Sequence, residues 1–445
     1  MKRLIAILLC LSFLLIALGA CSAPDAPETP SVTPNGDGGD GGDGAGDGTG
    51  GTDTEDPAGE PTLDLEDVTP IKDFSLIEDD RYTIAGGDVL TSYFEEPLDT
   101  FLGVCKDYMQ SGWVLYGYTV KNGNHFATWT RGSRLVHLYW IACENEFNKV
   151  TSENGADTLP PKEPTVTTGN CTTSVTQLRS SANNGMGYIT RLADGSFIVH
   201  DGGHDHCAND LWETLVQLNG GEEGIVIRAW IITHAHGDHY AAFRAFAPLY
   251  AADVTLETVM ISPVESSEAY LTAATGIAAD VAEFDGAELC YVHTGMTFRF
   301  CNVRLEILFT GDELWIAEPT RDEGLSEAQN PNNASIVSRI YTDDYSALFL
   351  ADASEEVGLR MALYYGDYLK SDMCQVAHHG VEDFPLIAYR FINAALLWYP
   401  CDTALYNRAN RDREVRDALA NSAYTREIVI RDFNTVTKDF GLYGK

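Results

Sequence analysis

The sequence predicts an α/β protein in which a large layered domain follows a small α+β unit and a long polar tether. Three observations favour this class: a Gly/Asp-rich stretch near the start, one helix pattern followed by three strand patterns, and then buried strands that alternate with helices. The chain has 445 residues, 44% of them hydrophobic and 10% aromatic, which is enough for a packed core. The predicted ranges are a signal peptide over 1–20, a disordered tether over 21–80, the small unit over 81–148, a linker over 149–181 and the large domain over 182–445.

The first twenty-one residues have the pattern of an export signal. Lys2 and Arg3 precede an apolar run from Leu4 to Leu18, which is too short to span a bilayer as a helix. The run ends in Leu-Gly-Ala followed by Cys21, which resembles the bacterial lipobox. We interpret Cys21 as a lipidation site, the alternative being an ordinary signal peptide with a chance cysteine. The chain is therefore predicted to be exported and anchored by lipid to the outer face of a bacterial cell membrane.

Acidic residues outnumber basic residues, with 66 Asp and Glu against 29 Lys and Arg, which gives a net charge of −37. Residues 22–80 hold seventeen of the acids and one basic residue, Lys72, so we interpret this segment as a self-repelling tether. Residues 81–445 retain a net charge of −23. This charge argues against a protein that coats nucleic acids, because phosphate backbones would be repelled. A nucleic-acid substrate stays possible but is not favoured.

Cysteine spacing does not define a structural metal site. Cys10 and Cys21 lie in the predicted export signal. No two of the other cysteines form a Cys-x-x-Cys pair, which argues against a zinc knuckle. Export permits disulfides, but dispersed cysteines do not specify their pairing. The eight residues concerned are Cys105, Cys143, Cys171, Cys207, Cys290, Cys301, Cys374 and Cys401.

The small unit is predicted to be one helix packed on a three-stranded antiparallel sheet. Apolar spacing predicts the helix over 98–109. Three β-rich runs follow, over 113–120, 125–129 and 135–141, separated by turn residues such as Asn122-Gly123. This unit carries no catalytic constellation, and its aromatic residues are typical of a core.

The large domain opens with a hairpin over 188–191 and 197–200, which turns at Ala-Asp-Gly and is followed by Asp201-Gly202-Gly203. A helix over 208–218, a buried strand over 225–233 and a helix over 240–250 come next. Further strands and helices then alternate to the end of the chain, which is typical of a layered α/β domain.

Four potential metal ligands lie within six residues, directly after the buried strand: His234, His236, Asp238 and His239. Residues two apart at a strand end point the same way, so His234 and His236 can share one ion. The turn at Gly237 directs Asp238 and His239 towards a neighbouring position. Imidazole and carboxylate ligands suit zinc, with manganese or iron as alternatives.

This motif resembles that of the metallo-β-lactamase superfamily, whose fold is an αββα sandwich. Phe349-Leu350-Ala351-Asp352 resembles the strand that ends in the family's bridging aspartate, and Ala377-His378-His379-Gly380 resembles its later histidine motif. The segment 330–337 resembles an Asn/Ser segment of the branch that includes the metallohydrolase domains of bacterial DNA-uptake channels. The resemblance covers roughly 182–400.

The resemblance implies two divalent metal ions and a role for each motif residue. One of His378 and His379 is expected to be a ligand, because adjacent strand residues face opposite sides; we choose His378. His379 is then available for substrate contact or proton transfer, and Asp238 and His379 are the candidate catalytic residues. The implied ligands are His234 and His236 for the first ion, Asp238, His239 and His378 for the second, and Asp352 as the bridge.

One position of the family pattern has no clear equivalent. The family often has another histidine between the first motif and the bridging aspartate, and the only one here, His293, has the pattern of a surface or core residue on a hairpin. Asn332 or Asn333 can take that place, and Asn333 is the candidate we retain, although an amide binds metal more weakly than imidazole.

Two further clusters leave alternatives open. His200, His204 and His206 lie beside Asp201, where the family places its metal site; we interpret them as surface loop residues, with His204 kept as a possible metal or substrate contact. Four arginines could bind a phosphate group. Because acids interleave with them, we favour a solvated, salt-paired helix. They are Arg408, Arg411, Arg413 and Arg416.

These observations predict a dinuclear metal-dependent hydrolase in which the ions activate water and polarise the scissile bond. A phosphodiester or related ester of a small molecule or a cell-surface decoration is the first choice of substrate. A lactone, amide or β-lactam is the second, a β-lactam being less favoured because well-known β-lactamases often use a cysteine ligand. The third hypothesis is a non-catalytic surface binding protein with a degenerate metal domain.

Overall fold

A computed structural model describes residues 61–72, 80–83, 88–163, 173–262, 268–313, 331–381, 384–408, 413–432 and 434–440. The predicted signal peptide, the lipidation site Cys21 and the tether up to residue 60 lie outside these residues, as does Arg411. Within them, no helix combines the length and the apolar character needed to cross a membrane. All seven cysteines of the described ranges are free thiols, and Cys171 lies outside those ranges.

The N-terminal sheet has six strands, three more than the sequence predicts. The additional strands contain polar residues and lack a clear alternating pattern, as in Glu-Phe-Asn-Lys-Val-Thr-Ser over 146–152. The strand order is β1-β2-β6-β5-β4-β3 and every pair is antiparallel. The strands are β1 (Asp80–Thr83), β2 (Val89–Tyr93), β3 (Val114–Lys121), β4 (Asn124–Arg131), β5 (Arg134–Ile141) and β6 (Glu146–Ser152).

Helix α1 (Leu98–Gln110) covers one face of this sheet, close to its predicted range. Residues 61–72, which the sequence assigns to the tether, also pack here. Leu65 is buried, and the backbone NH of Ile71 donates to the Gly103 carbonyl at 3.0 Å. The tether prediction is thus wrong for these residues, because apolar side chains interrupt the acidic stretch and find a partner on α1.

Two larger sheets are formed by strands of the described residues from 174 to 439. The first has the order β13-β12-β10-β9-β8-β7-β21, with β11 also paired to β10. Its strands are β7 (Ser174–Gln177), β8 (Gly187–Arg191), β9 (Phe197–Asp201), β10 (Ile225–Ile231), β11 (Val254–Leu256), β12 (Thr258–Ile261), β13 (Glu288–Tyr291) and β21 (Val436–Asp439). The second has the order β14-β15-β16-β17-β18-β19-β20. Its strands are β14 (Thr297–Phe300), β15 (Val303–Phe309), β16 (Val337–Tyr341), β17 (Ser346–Phe349), β18 (Met373–Gln375), β19 (Leu396–Tyr399) and β20 (Glu427–Ile430).

Helices lie outside the two facing sheets. The inner core joins side chains of both sheets, such as Ile231 from β10 and Phe349 from β17. The outer face of the first sheet packs against α2 (Ala208–Asn219), α3 (Gly237–Tyr250) and α4 (Glu268–Val281). The second sheet packs against α5 (Glu355–Tyr365) and α6 (Leu386–Ile392), and α7 (Thr403–Tyr406) and α8 (Arg413–Ala420) follow. The helix–sheet–sheet–helix layering predicted from the sequence is confirmed.

The N-terminal sheet shares a buried core with the second large sheet. Phe126 from β4 belongs to the same apolar cluster as Leu348 from β17. Lys121, at the end of β3, is fully buried and its Nζ donates to the Gly295 carbonyl at 2.9 Å. Gly295 has φ +92° and an added Cβ would lie 1.7 Å from the Phe126 ring, so a glycine is required where the two parts meet.

His293 lies in this junction and belongs to neither of the ligand groups described below. Its Nδ1 lies 2.8 Å from Asp312 Oδ2 and its Nε2 lies 3.4 Å from Asp88 Oδ2, and all three side chains are buried. Burial opposes the charged imidazole, but the two carboxylates outweigh it and raise the pKa of His293 to about 10. His293 is therefore a core residue, one of the two alternatives that the sequence left open.

We expect His293 to make folding stability depend on pH. Because its pKa is higher in the folded chain than in the unfolded chain, its contribution is fully present below about pH 6.5 and is lost as the pH rises through about 10. Between pH 7 and pH 10.5, urea unfolding of the wild type should show a loss that includes a contribution on the order of 3 kcal/mol from His293. His293→Gln should be less stable at pH 7 and should lose most of this pH dependence; an unchanged dependence in the variant would contradict the assignment.

Candidate metal centre

The predicted ligands converge where strands of the two large sheets end. Parallel strands β9 and β10 of the first sheet bring Asp201 next to the loop that begins at Ile232, and parallel strands β17 and β18 of the second bring Asp352 next to the 377–380 turn. Two backbone hydrogen bonds tie these loops together. The Ile336 NH donates to the Thr233 carbonyl at 3.0 Å, and the His378 NH donates to the Ala351 carbonyl at 2.9 Å.

The first ligand group consists of His234, His236 and Asp352. His234 Nε2 lies 3.1 Å from His236 Nδ1 and 3.7 Å from Asp352 Oδ2. His234 and Asp352 are buried, whereas His236 is half-buried. The structure thus brings together the two histidines that the sequence predicted to share an ion.

The second group consists of Asp238, His239 and His379. Helix α3 begins at Gly237, so Asp238 and His239 lie in its first turn rather than in a loop before it. His379 Nε2 lies 3.1 Å from Asp238 Oδ2 and 3.5 Å from Asp352 Oδ2, and His239 Nε2 lies 3.1 Å from Asp352 Oδ2. Asp352 therefore contacts both groups, as a bridging carboxylate must.

The geometry favours His379 over His378 as the ligand, the reverse of the choice made from sequence. His379 is buried with its Nε2 inside the second group, whereas His378 is half-buried with its Nε2 3.6 Å from Asp352 Oδ2. The argument from strand alternation fails because both residues follow the end of β18 and have left-handed backbones, with φ of 46° and 56°. In that turn the two rings approach Asp352 from neighbouring directions instead of pointing to opposite faces.

The spacing of these atoms fits metal coordination. Two atoms bound to one zinc at about 2.0–2.1 Å and at tetrahedral angles lie roughly 3.3 Å apart. The separations given above span 3.1–3.7 Å, and the ligand atoms of each group all lie within 4.8 Å of one another. Within the described part of the chain, Asp352 Oδ1 is buried without a hydrogen-bond partner, which is costly for a carboxylate oxygen unless a cation neutralises it.

The electrostatics of the centre also favour cations. Burial disfavours the charged imidazoles, but nearby carboxylates outweigh it, so the pKa of His379 rises to about 9 and the pKa of His239 lies well above its usual value. Burial likewise opposes ionisation of Asp352, but His239 and His379 hold its pKa well below its usual range. The second group thus holds protons on His239 and His379, whereas burial lowers the pKa of His234 and of His236 in the first group. A metal ion would displace these protons, because imidazole binds metal in its neutral form.

Asp201 is a functional residue that the sequence analysis did not single out. It is buried at the end of β9, and its Oδ2 accepts a hydrogen bond from His239 Nδ1 at 2.8 Å. Its two oxygens also accept from the Thr233 NH and hydroxyl, each at 2.8 Å. Asp201 thereby directs His239 Nε2 towards Asp352, as carboxylates behind metal-binding histidines commonly do. Its position directly before Gly202-Gly203, at the end of the second hairpin strand, was the available signal.

Asn184 and His204 lie beside the second group. The Asn184 amide donates to Asp238 Oδ2 at 2.6 Å, and its oxygen lies 3.4 Å from His204 Nε2. His204 is half-buried and contacts Asp238 only through Asn184, so its candidate role as a direct ligand is not supported by the geometry. Of its neighbours, His206 is exposed as predicted, whereas His200 is fully buried and stacks on Phe349 at 4.0 Å, so its surface assignment is wrong.

In the asparagine segment, Asn332 rather than the retained candidate Asn333 lies beside the metal centre. Asn332 Nδ2 lies 3.4 Å from His378 Nε2. Asn333 is buried and its Oδ1 accepts a hydrogen bond from the Ser354 hydroxyl at the start of α5. Asn333 thus fixes the start of the helix that follows Asp352.

The chain matches no protein-family model and no curated protein. Among solved structures, it is similar to the metallo-β-lactamase-fold protein YhfI of Bacillus subtilis, with 11% identity, a TM-score of 0.39, and 60% of this chain and 99% of that chain covered. It is also similar to CmlA, a diiron β-hydroxylase of Streptomyces venezuelae, with 13% identity, a TM-score of 0.38, and 62% and 55% covered. A third is the short form of human tRNase Z, with 11% identity, a TM-score of 0.34, and 59% and 98% covered. At this similarity, function has to be assigned from the residues of the site.

Proposed function

We propose that this chain is an exported, lipid-anchored hydrolase that uses two divalent metal ions to cleave a phosphodiester or a related ester. The observation that carries the proposal is the convergence of six side chains in two adjoining groups that share Asp352. Zinc is the proposed ion, since imidazole and carboxylate donors suit it, and manganese and iron are alternatives. Lipid attachment at Cys21 anchors the proposed enzyme.

His234, His236 and Asp352 would hold one ion, and Asp238, His239 and His379 would hold the other, with Asp352 serving both. Bound there, two divalent ions lower the pKa of water and polarise the scissile group. The protein supplies orientation. Asp201 fixes the ring of His239, and the Pro400 carbonyl, which accepts from His379 Nδ1 at 3.1 Å, fixes that of His379.

His378 is the proposed proton-transfer residue, the role first given to His379. Its ring is half-buried, with Nε2 3.6 Å from Asp352 Oδ2, and it lines a cavity that opens beside the two groups. A substrate can therefore reach the ring, and imidazole is the side chain most often used for general acid–base catalysis.

The donor set favours the ester over the β-lactam. Neither ligand group of the described residues contains a cysteine, which agrees with the preference stated from sequence. Two ions can stabilise the attacking and the leaving oxygen of an in-line phosphoryl displacement together. A small or surface-bound substrate suits the acidic chain better than a long nucleic acid.

A hydrolysis panel tests the proposed function. The full-length chain should cleave the small diester methyl 4-nitrophenyl phosphate faster than a lactone or a β-lactam, and chelation should abolish the activity. His236→Ala should remove at least about 99% of it, whereas His206→Ala, which alters an exposed histidine outside both groups, should retain it. Faster β-lactam or lactone cleavage would favour the second substrate class, and a metal-loaded chain that cleaves nothing would favour the binding protein.

A further inference from the structure

The cavity beside the candidate metal centre is cationic, although the chain as a whole is strongly acidic. It has a volume of about 460 Å³ and is bordered on one side by His378 and His379. Its lining includes Arg408 and Arg416, and none of the described residues that line it is acidic. In a chain with 66 acidic and 29 basic residues, this lining contrasts with the overall charge, and local positive charge attracts anionic ligands.

Arg416 is held in place at this cavity. Its Nη1 donates to the Tyr406 carbonyl at 2.6 Å, and its guanidinium lies over the Tyr406 ring at 5.3 Å. Asp417 lies 3.2 Å from its Nη2, but that carboxylate is outside the cavity lining and its side chain is 53% exposed. The predicted pairing of the arginine helix with its own acids is therefore confirmed for Arg416, while the same side chain also faces the cavity.

Arg408 is exposed and lies two residues after the end of α7. Among the residues that the structure describes, no carboxylate pairs with its guanidinium. Leu405 and Tyr406, which precede Arg408 in sequence, give the cavity an apolar part. The amides of Asn183 and Asn184 complete its polar side.

We propose that this cavity is a subsite that binds a second anionic group of the substrate, one that does not react. The substrate class is then a small ester that carries a carboxylate or a phosphoryl group some distance from the scissile bond. Arg408 and Arg416 recognise that group, since guanidinium forms strong, directional hydrogen bonds with both anions. The inference rests on the proposed function, because it assumes that the bound molecule is a substrate. The cavity and its charge do not depend on that assumption.

Binding and turnover of three matched diesters test this subsite. The first is methyl 4-nitrophenyl phosphate, and in the others a short chain ending in a carboxylate or a phosphonate replaces the methyl group. Isothermal titration of the full-length chain should show tighter binding of at least one anionic analogue than of the parent. The analogue that gains more identifies which anion the subsite accepts.

Arg408→Gln and Arg416→Gln should each weaken binding of the anionic analogue by about fivefold. Binding of the parent diester should stay within about twofold of the wild-type value. Arg413→Gln is the matched control, because Arg413 is on α8, pairs with the same Asp417 at 3.6 Å and does not line the cavity. Arg408 is exposed, so its variant should fold even if Arg416→Gln does not. In kinetics, the two variants should raise KM for the anionic analogue with little change in kcat.

Equal binding of all three diesters would overturn the subsite, as would an equal loss in Arg413→Gln, since general surface charge would then explain the effect. Binding measurements keep the subsite and the proposed function separate. Discrimination that persists without hydrolysis of any diester would support the subsite and contradict the hydrolase. Hydrolysis of the diesters with equal binding of all three would support the hydrolase and contradict the subsite.

Discussion

Asp352→Ala should lose more than one metal equivalent per chain and reduce hydrolysis at least about a hundredfold. Asp352 is buried, and its Oδ2 lies 3.1 Å from His239 Nε2 and 3.7 Å from His234 Nε2, one histidine from each ligand group. Removing a carboxylate that serves two ions should therefore affect both. Plasma mass spectrometry gives the metal content, and the hydrolysis panel gives the activity.

Asp372→Asn is the control for this prediction. Asp372 precedes β18 and accepts hydrogen bonds from the Ser346 NH and hydroxyl, so it belongs to the same sheet but not to either ligand group. The control should keep its metal, and both variants should keep the circular dichroism of the wild type. Full metal content in Asp352→Ala would show that this residue is not the bridge.

Glu306→Ala should destabilise the fold by about 3–5 kcal/mol, because it breaks a buried ion pair. The buried carboxylate accepts two hydrogen bonds from Arg339, at 2.7 and 3.0 Å, and one from the Tyr368 hydroxyl at 2.5 Å. Lys121 Nζ, from the N-terminal sheet, lies 3.9 Å away. Loss of the carboxylate would remove the anion that Arg339 and Lys121 share where the N-terminal sheet meets the second large sheet.

Glu153→Ala is the comparison, because Glu153 pairs with Arg134 at 3.1 Å but both side chains are more than half exposed. Such a pair contributes about 0–1 kcal/mol. Urea unfolding of both variants measures the difference. A loss below about 1 kcal/mol for Glu306→Ala would mean that the buried cations find other partners and that this junction is not held by Glu306.

The sequence predicted the parts of the fold that have strong local signals. Helix α1 and strands β3 to β5 lie close to their predicted ranges, because apolar periodicity and the Asn122-Gly123 turn, with φ of 52° and 77°, specify them locally. Strands β1, β2 and β6 were missed. Such strands are specified by their neighbours in the sheet rather than by their own residues.

The same distinction applies to the candidate site. A dense run of ligand residues after a buried strand can be recognised from sequence alone. All four residues of that run belong to the two ligand groups: His234, His236, Asp238 and His239. The choice between His378 and His379 depended on a backbone conformation after β18 that no local pattern specifies. The buried state of His200 and the contact of Asp201 with His239 depend on strands distant in sequence, so they required the tertiary structure.

The metal content of the purified wild-type chain tests the central claim most directly. The protein should be exposed in turn to zinc, manganese and iron, freed of excess ion by gel filtration and analysed by plasma mass spectrometry against protein concentration. Two ligand groups that share Asp352 predict close to two equivalents of the preferred ion per chain. Retention of no more than trace metal under all three conditions would contradict the dinuclear centre.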